Sequence, residues 1–196
     1  MRYRVNEVFL SLQGEGFWTG TPMVFLRFSG CNLACPFCDT SHASGSDMSA
    51  DDIVAAVLAA AGNCRRACVT GGEPALQLDT VLIAKLHAAG FKLHLETNGT
   101  LAIPSGVDWI TLSPKEDFVQ NAGVVLPGAD ELKLVYDGIA DPERWASFPA
   151  SWHFLQPCDT GDAAKNATIL AATVEYIKAN PAWRLSLQTH KLLGIR

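Results

Sequence analysis

The sequence carries little charge, and positive charge in particular is scarce. Only 18% of its 196 residues are charged, and 15 Lys and Arg against 20 Asp and Glu give a formal net charge of -5 at pH 7. Such a chain has no long-range attraction for the phosphates of nucleic acids. Direct binding to DNA or RNA is therefore not expected, and a small-molecule partner is favoured.

Long apolar runs are also absent. The longest covers residues 53–61, far short of the ~20 residues that a helix needs to cross a bilayer. Residues 1–7 are polar, and no apolar segment of the signal-peptide type follows them. We therefore expect a cytoplasmic protein that does not span a membrane.

The chain has no internal repeat, low-complexity tract or Ser/Pro-rich linker that would divide it. With 48% hydrophobic residues, a chain of this length can bury most of its apolar surface in one core. We expect a single domain over residues 1–196.

The hydrophobic pattern predicts short buried strands that alternate with helices. Ser49 and Asp52 form a capping box at the start of one long helix, Asp79 caps a second, and residues 162–178 form a third. The predicted strands cover residues 23–28, 67–70, 92–96, 109–112, 131–136, 152–155 and 184–188. This alternation favours a parallel sheet with right-handed crossovers. About six parallel strands with about three long helices indicate an α/β fold, an incomplete (partial) TIM-type barrel.

The polar motifs of the sequence follow the predicted strands. Residues 30–39 come after the first strand, residues 70–74 after the second and residues 96–98 after the third. Residues 113–115 and 156–157 follow later strands in the same way. Because parallel α/β folds bind their ligands at the carboxyl ends of the strands, we expect one shared site there.

Three of the six cysteines lie within eight residues. Cys31, Cys35 and Cys38 have the spacing C-x3-C-x2-C. Three thiolates on one loop can hold a [4Fe-4S] cluster with one iron left open, whereas an ordinary electron-transfer cluster takes four cysteines. A metal site needs such an open position to bind and activate a substrate. In radical S-adenosylmethionine enzymes, the amino and carboxylate groups of S-adenosylmethionine take that position.

Other interpretations of these residues stay open. His42, four residues after Cys38, could complete a Cys3His zinc site, and the chain would then be a non-enzymatic zinc or iron–sulfur interaction module. A glycyl-radical-enzyme activase would share the cysteine loop and act on a protein chain. Cys64 and Cys68 flank a predicted buried strand, where a free cysteine most often behaves as a small hydrophobe.

The sequence Thr-Gly-Gly-Glu-Pro at residues 70–74 ends a predicted strand. Gly71 and Gly72 allow a ligand to approach the backbone closely, and Glu73 can receive an ammonium group. A Gly-Gly turn alone is more often only a turn. Paired with a cysteine loop one strand earlier, it matches the contact that radical S-adenosylmethionine proteins make with the methionine amino group.

Eight short segments carry more specific information. They are SLQGEG at 11–16, RFSGCNL at 27–33, CDT at 38–40, TGGEP at 70–74, ETNGT at 96–100, SPK at 113–115, LQP at 155–157 and QTHK at 188–191. In this order and spacing they resemble the 7-carboxy-7-deazaguanine synthase family of radical S-adenosylmethionine enzymes. The resemblance covers nearly the whole chain and is far more specific than the cysteine loop alone.

This resemblance implies a lyase of the queuosine pathway, which modifies tRNA. The family converts 6-carboxy-5,6,7,8-tetrahydropterin to 7-carboxy-7-deazaguanine by a radical ring contraction with loss of ammonia. A 5'-deoxyadenosyl radical removes the C6 hydrogen of the pterin and later takes a hydrogen back. The implied cofactors are a [4Fe-4S] cluster, S-adenosylmethionine and Mg2+. The implied partners are a flavodoxin- or ferredoxin-type reductant and a second copy of the chain in a homodimer.

The resemblance also implies roles for individual residues. Cys31, Cys35 and Cys38 are the catalytic cluster ligands, and Thr40 contacts Mg2+, a hard cation that prefers oxygen. The residues implied to bind S-adenosylmethionine are Phe37, Cys38, Asp39, Gly72, Glu73, Ser113, Pro114, Lys115, Gln156, Pro157, Cys158 and Asp159. The residues implied to bind the pterin are Leu12, Gln13, Gly14, Glu15, Arg27, Thr70, Glu96, His190 and Arg196.

Plainer roles remain possible for some of these residues. From sequence alone, Thr40 could equally cap a turn, Arg27 could form an ordinary ion pair, and His190 could lie in solvent. Arg196 departs from the family pattern, because a terminal carboxylate is expected to meet the pterin there and arginine is bulky. The cysteine loop also has the short form, whereas some relatives of the family insert a longer stretch between the first two cysteines.

Overall fold

A nine-stranded sheet organises the part of the chain that the structure, a computed structural model, describes, residues 2–196. The strands are β1 Tyr3–Leu12, β2 Pro22–Phe28, β3 Ser46–Met48, β4 Arg66–Gly71, β5 Lys92–Thr97, β6 Trp109–Leu112, β7 Ala129–Tyr136, β8 Ala150–Pro157 and β9 Trp183–Leu185. The helices are α1 Ala50–Ala61, α2 Thr80–Ala88, α3 Ala163–Ala179 and α4 Thr189–Leu193, with short 3-10 helices at Pro74–Leu76 and Pro142–Trp145.

Seven neighbouring strands of this sheet run parallel. The order is β3-β1-β2-β4-β5-β6-β7-β8-β9, and each neighbouring pair from β2 to β9 is parallel. Strand β1 is antiparallel to both β2 and β3. Within residues 2–196 the outer strands β3 and β9 do not pair with each other, so the barrel stays open. This architecture, with three long helices, confirms the predicted partial TIM-type barrel.

Strands β1 and β3 are additions to the predicted fold. The pairing of β1 with β2 shifts register between Val5 and Glu7, which interrupts the alternation that marks a strand in sequence. Strand β3 has only three residues and leaves no periodic signal. The predicted strand at residues 184–188 is wrong at its C-terminal end, because β9 ends at Leu185 and α4 follows.

The predicted helix starts are confirmed by their caps. Ser49 Oγ accepts a hydrogen bond from Asp52 N at 3.2 Å, and Ser49 N donates to Asp52 Oδ2 at 2.9 Å, which completes the capping box of α1. Asp79 Oδ1 accepts from Leu82 N at 2.9 Å at the start of α2. Asp162 caps α3 in the same way. These caps fix where each crossover leaves the sheet.

The apolar core lies between the sheet and the helices. Helix α1 buries Ile53 and Val57, and α2 buries Leu82 and Leu86, against the apolar faces of β1, β2, β4 and β5. A second cluster joins β7 and β8 to α3. On β7 the period-two alternation turns the leucines outward toward this cluster and leaves Lys133 among the residues that face the barrel interior.

Within residues 2–196, no helix combines the length and the apolar character that a bilayer crossing requires.

The same leucine-to-alanine substitution is expected to lower the free energy of unfolding by different amounts on two helices, because the two leucines differ in burial. Leu82 on α2 is fully buried, so Leu82→Ala is expected to lower the free energy of unfolding by about 2–5 kcal/mol through a core cavity. Leu58 on α1 is 45% exposed, and Leu58→Ala is expected to change the free energy of unfolding by less than about 1 kcal/mol. Urea unfolding measures both values. Equal losses in the two variants would contradict this placement of the core.

Candidate active site

A cavity of about 290 Å³ opens at the carboxyl ends of the parallel strands, where the shared site is expected. All but two of the residues implied to bind cluster, metal, cofactor or substrate line it. They are Leu12, Gln13, Gly14, Glu15, Arg27, Cys31, Cys35, Phe37, Cys38, Asp39, Thr40, Thr70, Gly72, Glu96, Ser113, Lys115, Gln156, Pro157, Cys158, Asp159, His190 and Arg196. The strand ends therefore gather residues that are up to 184 positions apart, from Leu12 to Arg196, around one space.

Glu73 and Pro114 are the two residues that do not line the cavity. The Glu73 side chain is fully buried, and its Oε1 accepts from Thr97 Oγ1 at 2.8 Å while its Oε2 accepts from Asn98 N at 2.8 Å. Burial raises the pKa of this carboxyl, and the hydrogen bonds oppose that rise. In this structure Glu73 ties the end of β4 to the end of β5, and its contact with a methionine ammonium group stays a prediction.

The two glycines of the same motif pack against the protein's own backbone. Gly71 has φ +132°, and a Cβ there would lie 2.1 Å from the carbonyl oxygen of Phe28. A Cβ on Gly72 would lie 1.9 Å from the carbonyl oxygen of Gly30 and 2.9 Å from Cβ of Cys31. Glu73 N then donates to the Gly30 carbonyl at 2.9 Å. Only glycine lets β4 end this close beneath the cysteine loop.

The cysteine loop follows β2 and is irregular up to β3. Cys31, Cys35 and Cys38 are free thiols that line the cavity. Burial raises the pKa of the Cys31 and Cys35 thiols; a hydrogen bond from Leu33 N opposes this at Cys31, and the Lys115 charge opposes it at Cys35. Among the described residues, no three His, Cys, Asp or Glu side chains converge closely enough to hold a metal ion.

The donor set nevertheless fits a [4Fe-4S] cluster with one open iron. Three thiols from one loop face the same cavity, and the loop carries no helix or strand that would fix their positions. His42, the candidate fourth ligand of a zinc site, also lines the cavity, while its backbone carbonyl accepts from Gly30 N at 2.9 Å. The cysteine loop therefore supplies three cluster ligands and no fourth cysteine.

An asparagine pair links the cysteine loop to the end of β5. Asn98 Nδ2 donates to Asn32 Oδ1 at 3.1 Å, and Asn32 Nδ2 donates to Thr100 Oγ1 at 2.7 Å. The motifs at residues 27–33 and 96–100 are thus in direct contact. Their order in the sequence gives no sign of this pairing.

A buried lysine and two carboxylates form an ion triad in the site. Lys133 Nζ lies 2.6 Å from Glu15 Oε2 and 2.8 Å from Glu96 Oε2. The sequence-based list of site residues omits Lys133. The sequence does contain a sign of it. Lys133 lies two positions after Glu131 on β7, with Leu132 between them, so period-two alternation places both charged side chains on the same, inner face of the strand.

The C-terminal segment lines part of the cavity. Thr189 N and Oγ1 both donate to the Gly14 carbonyl at 2.9 Å, and His190 packs so closely on Gly14 that a Cβ there would lie 2.1 Å from its Nδ1. Lys191 Nζ lies 2.7 Å from Asp39 Oδ2 and 2.8 Å from Asp159 Oδ2. His190 is therefore at the cavity and not in open solvent, and Lys191 is a bridging residue absent from the predicted site.

Two arginines share one carboxylate at the edge of the cavity. Arg27 Nε lies 2.8 Å from Glu7 Oε1, and the Arg196 guanidinium contacts the other oxygen of Glu7. The Arg196 guanidinium also lies 4.5 Å from the ring centroid of Phe9. Arg27 thus both forms an ion pair and lines the cavity, and Arg196 reaches the cavity despite its bulk.

Comparisons with known proteins fit this arrangement. The family model described as Radical SAM superfamily matches residues 26–116, which include the cysteine loop. A 7-carboxy-7-deazaguanine synthase from Bacteroides thetaiotaomicron is 46% identical, and the match covers 100% of both chains. One from Caulobacter vibrioides is 45% identical, also over 100% of both chains.

A solved structure gives the same result for the fold. The crystal structure of QueE from Escherichia coli superposes with a TM-score of 0.77 at 28% identity, over 95% of this chain and 94% of that one. The fold and the site define a radical S-adenosylmethionine enzyme. Within that class, the chain belongs to the 7-carboxy-7-deazaguanine synthase family.

The close packing of Gly72 beneath the cysteine loop leaves no room for one added methyl group. In Gly72→Ala the new Cβ collides with backbone atoms of the loop, so the loop must shift and most of the cluster is expected to be lost. Iron and sulfide content per chain after anaerobic reconstitution measures the loss. Gly123→Ala is the matched control, because its Cβ would meet nothing within 4 Å. Full cluster content in Gly72→Ala would contradict the expectation.

The raised pKa of Glu131 is expected to make part of the free energy of unfolding depend on pH. Burial raises the pKa of this carboxyl from 4.5 to about 7, although the Lys133 charge opposes the rise. Between these two values the folded state binds the proton more tightly than the unfolded state, so this contribution to stability falls as pH rises. Glu131→Gln removes the titration. Its free energy of unfolding relative to the wild type should increase from about pH 4.5 to about pH 7 in urea titrations, whereas a constant difference would contradict the assignment.

Proposed function

We propose that this protein is a radical S-adenosylmethionine lyase that converts 6-carboxy-5,6,7,8-tetrahydropterin to 7-carboxy-7-deazaguanine with loss of ammonia. The observation that carries the proposal is that the three free thiols of the cysteine loop and the residues implied to bind the pterin line one cavity. Relatives that bear this activity in their names match the chain over its full length.

Cys31, Cys35 and Cys38 would hold the cluster in this proposal. When bound together, the reduced cluster and S-adenosylmethionine supply the radical that removes hydrogen from C6 of the pterin. The protein's own share is binding, orientation and exclusion of side reactions. The cysteine loop and the C-terminal segment supply the part of the cavity lining that would serve this purpose.

The chemistry of the lining suits both ligands. Carboxylates such as Glu15 and Glu96 accept hydrogen bonds from ring N–H groups, and Arg27 offers donors to a carboxylate or carbonyl oxygen. The residues after β6 and β8, which include Ser113 and Gln156, offer polar groups to S-adenosylmethionine. The hydroxyl of Thr40 is a hard oxygen ligand and would contribute to a Mg2+ site.

The proposal extends to the surroundings of the enzyme. A flavodoxin- or ferredoxin-type reductant and a homodimer are supported by the family resemblance alone. A cytoplasmic location is supported by the six free cysteines, which suit a reducing compartment. A single domain over residues 1–196 is supported by the continuous sheet.

Anaerobic turnover tests the proposal directly. The chain is reconstituted with iron and sulfide, reduced with dithionite, and given S-adenosylmethionine, Mg2+ and the carboxytetrahydropterin. We expect the deazaguanine acid to form without net consumption of S-adenosylmethionine, because the radical is regenerated. Release of 5'-deoxyadenosine without this product would contradict the proposal, and so would a zinc-loaded protein that cleaves no S-adenosylmethionine.

A pair of cysteine variants separates the cluster from general effects on folding. Cys35→Ala removes one of three cluster ligands and is expected to abolish both product formation and S-adenosylmethionine cleavage. Cys64→Ala changes a thiol that lies outside the cavity lining and donates a hydrogen bond to the Pro22 carbonyl. Both activities are therefore expected to persist in this variant. Turnover by Cys35→Ala would exclude the three-cysteine cluster as the source of the radical.

A further inference from the structure

Lys133 is a buried cation on the inner face of β7, beside the cavity. Its side chain is 5% exposed, and its ammonium group lies within 2.8 Å of an oxygen of Glu15 and of Glu96. A buried ammonium group is stable only when it is paired and hydrogen-bonded. Each carboxylate likewise depends on the lysine, because two carboxylates this close would otherwise repel each other.

The three groups belong to a closed ring of hydrogen bonds. Gln13 Nε2 donates to Glu96 Oε1 at 3.1 Å, and Gln13 Oε1 accepts from Glu15 N at 3.2 Å. Gln188 Nε2 donates to Glu15 Oε1 at 3.0 Å and ties the C-terminal segment to the ring. The ring therefore joins β5, β7, the segment after β1 and the segment before α4.

The ring leaves acceptor capacity for a ligand. Each oxygen of Glu15 and Glu96 has one protein donor and keeps a second lone pair, since an ionised carboxylate offers about four acceptor sites. Both residues line the cavity. A ligand that presents adjacent N–H groups, as a reduced pterin does, meets acceptors here and no competing O–H donor while both carboxyls stay ionised.

We propose that Lys133 is a positioning residue that holds Glu15 and Glu96 as ionised, fixed acceptors for the N–H groups of a fused heterocycle. The inference rests on the proposed function, in which these two carboxylates contact the pterin. Lys133 acts through them, and no contact between Lys133 and the substrate is needed.

The electrostatics of the ring agree with this role. Burial raises the pKa of Glu15, but the charge and hydrogen bond of Lys133 outweigh it and lower the pKa to about 2. Burial lowers the pKa of Lys133, but Glu15, Glu96 and Glu131 outweigh it and raise the pKa well above its usual value. The other titratable or charged groups that face the ring are Arg27, Cys68, Lys115 and His190.

The first test follows the Glu15 carboxyl by carbon NMR in the complete chain, with no pterin present. The pKa of Glu15 is expected to be about 2 in the wild type and above its ordinary 4.5 in Lys133→Met, where no cation offsets burial. Lys133→Arg should keep the pKa low. Lys178→Met, which breaks an exposed pair with Glu175, is the control and should leave the wild-type value unchanged.

Titration of Glu15 at or above 4.5 in the wild type would overturn the proposal, and this measurement holds even if Lys133→Met does not fold. An unchanged pKa in folded Lys133→Met would overturn it as well. Neither result depends on the reaction that the enzyme catalyses.

The second test is the pH profile of turnover. Lys133→Met is expected to raise KM for the pterin by roughly 30-fold or more near neutral pH, the cost of truncating one partner of a buried charge pair. The loss should shrink as pH rises, because Glu15 then ionises without the lysine. The dissociation constant of S-adenosylmethionine should stay near the wild-type value, and Lys133→Arg should recover much of the pterin KM.

The two tests separate this inference from the proposed function. A fall in kcat with unchanged KM at all pH values would overturn the positioning role and assign Lys133 to the chemical step. If the wild type forms no deazaguanine product while Glu15 titrates as expected, the proposed function fails. Lys133 would still keep Glu15 ionised in that case.

Discussion

The rest of the site depends on the close passage of the end of β4 beneath the cysteine loop. Parallel pairing places Gly71 beside Phe28 at the end of β2, and the absence of a side chain at Gly72 lets two backbones touch. From that contact Glu73 reaches the end of β5, whose Asn98 returns to the loop. Three consecutive parallel strand ends are thereby fixed to one another, and the thiols face a space already bounded by the sheet.

A partial barrel that binds a polar heterocycle must carry charge in its interior, and that charge needs internal compensation. Here the inner face of β7 supplies Lys133 between two carboxylates, while its outer face supplies leucines to the core under α3. One strand therefore serves both stability and binding through its period-two alternation. The same arrangement explains why Glu15 can be buried while its pKa stays low.

Much of the fold follows from local sequence signals. The caps at Ser49, Asp79 and Asp162 and the strand-to-motif order are local, and the structure confirms them. The missed elements lack such signals. Strand β1 contains a register shift, and α4 has only five residues and no side-chain cap. The sequence also cannot reveal that β1 joins the sheet antiparallel to both β2 and β3, because nothing local encodes the pairing partner.

The site shows the same division between local and distant information. Residues within motifs could be found from sequence, whereas Lys133 becomes significant only when its distances to Glu15 and Glu96 are known. Glu131, two positions earlier on the same strand, has one buried oxygen without a partner among the described residues and a raised pKa. The two groups differ because Lys133 contacts two carboxylates, whereas Glu131 accepts from a single backbone N–H and the more distant Lys133 charge only partly offsets its burial. The number and sign of the partners around each buried group therefore decide the direction of its pKa shift.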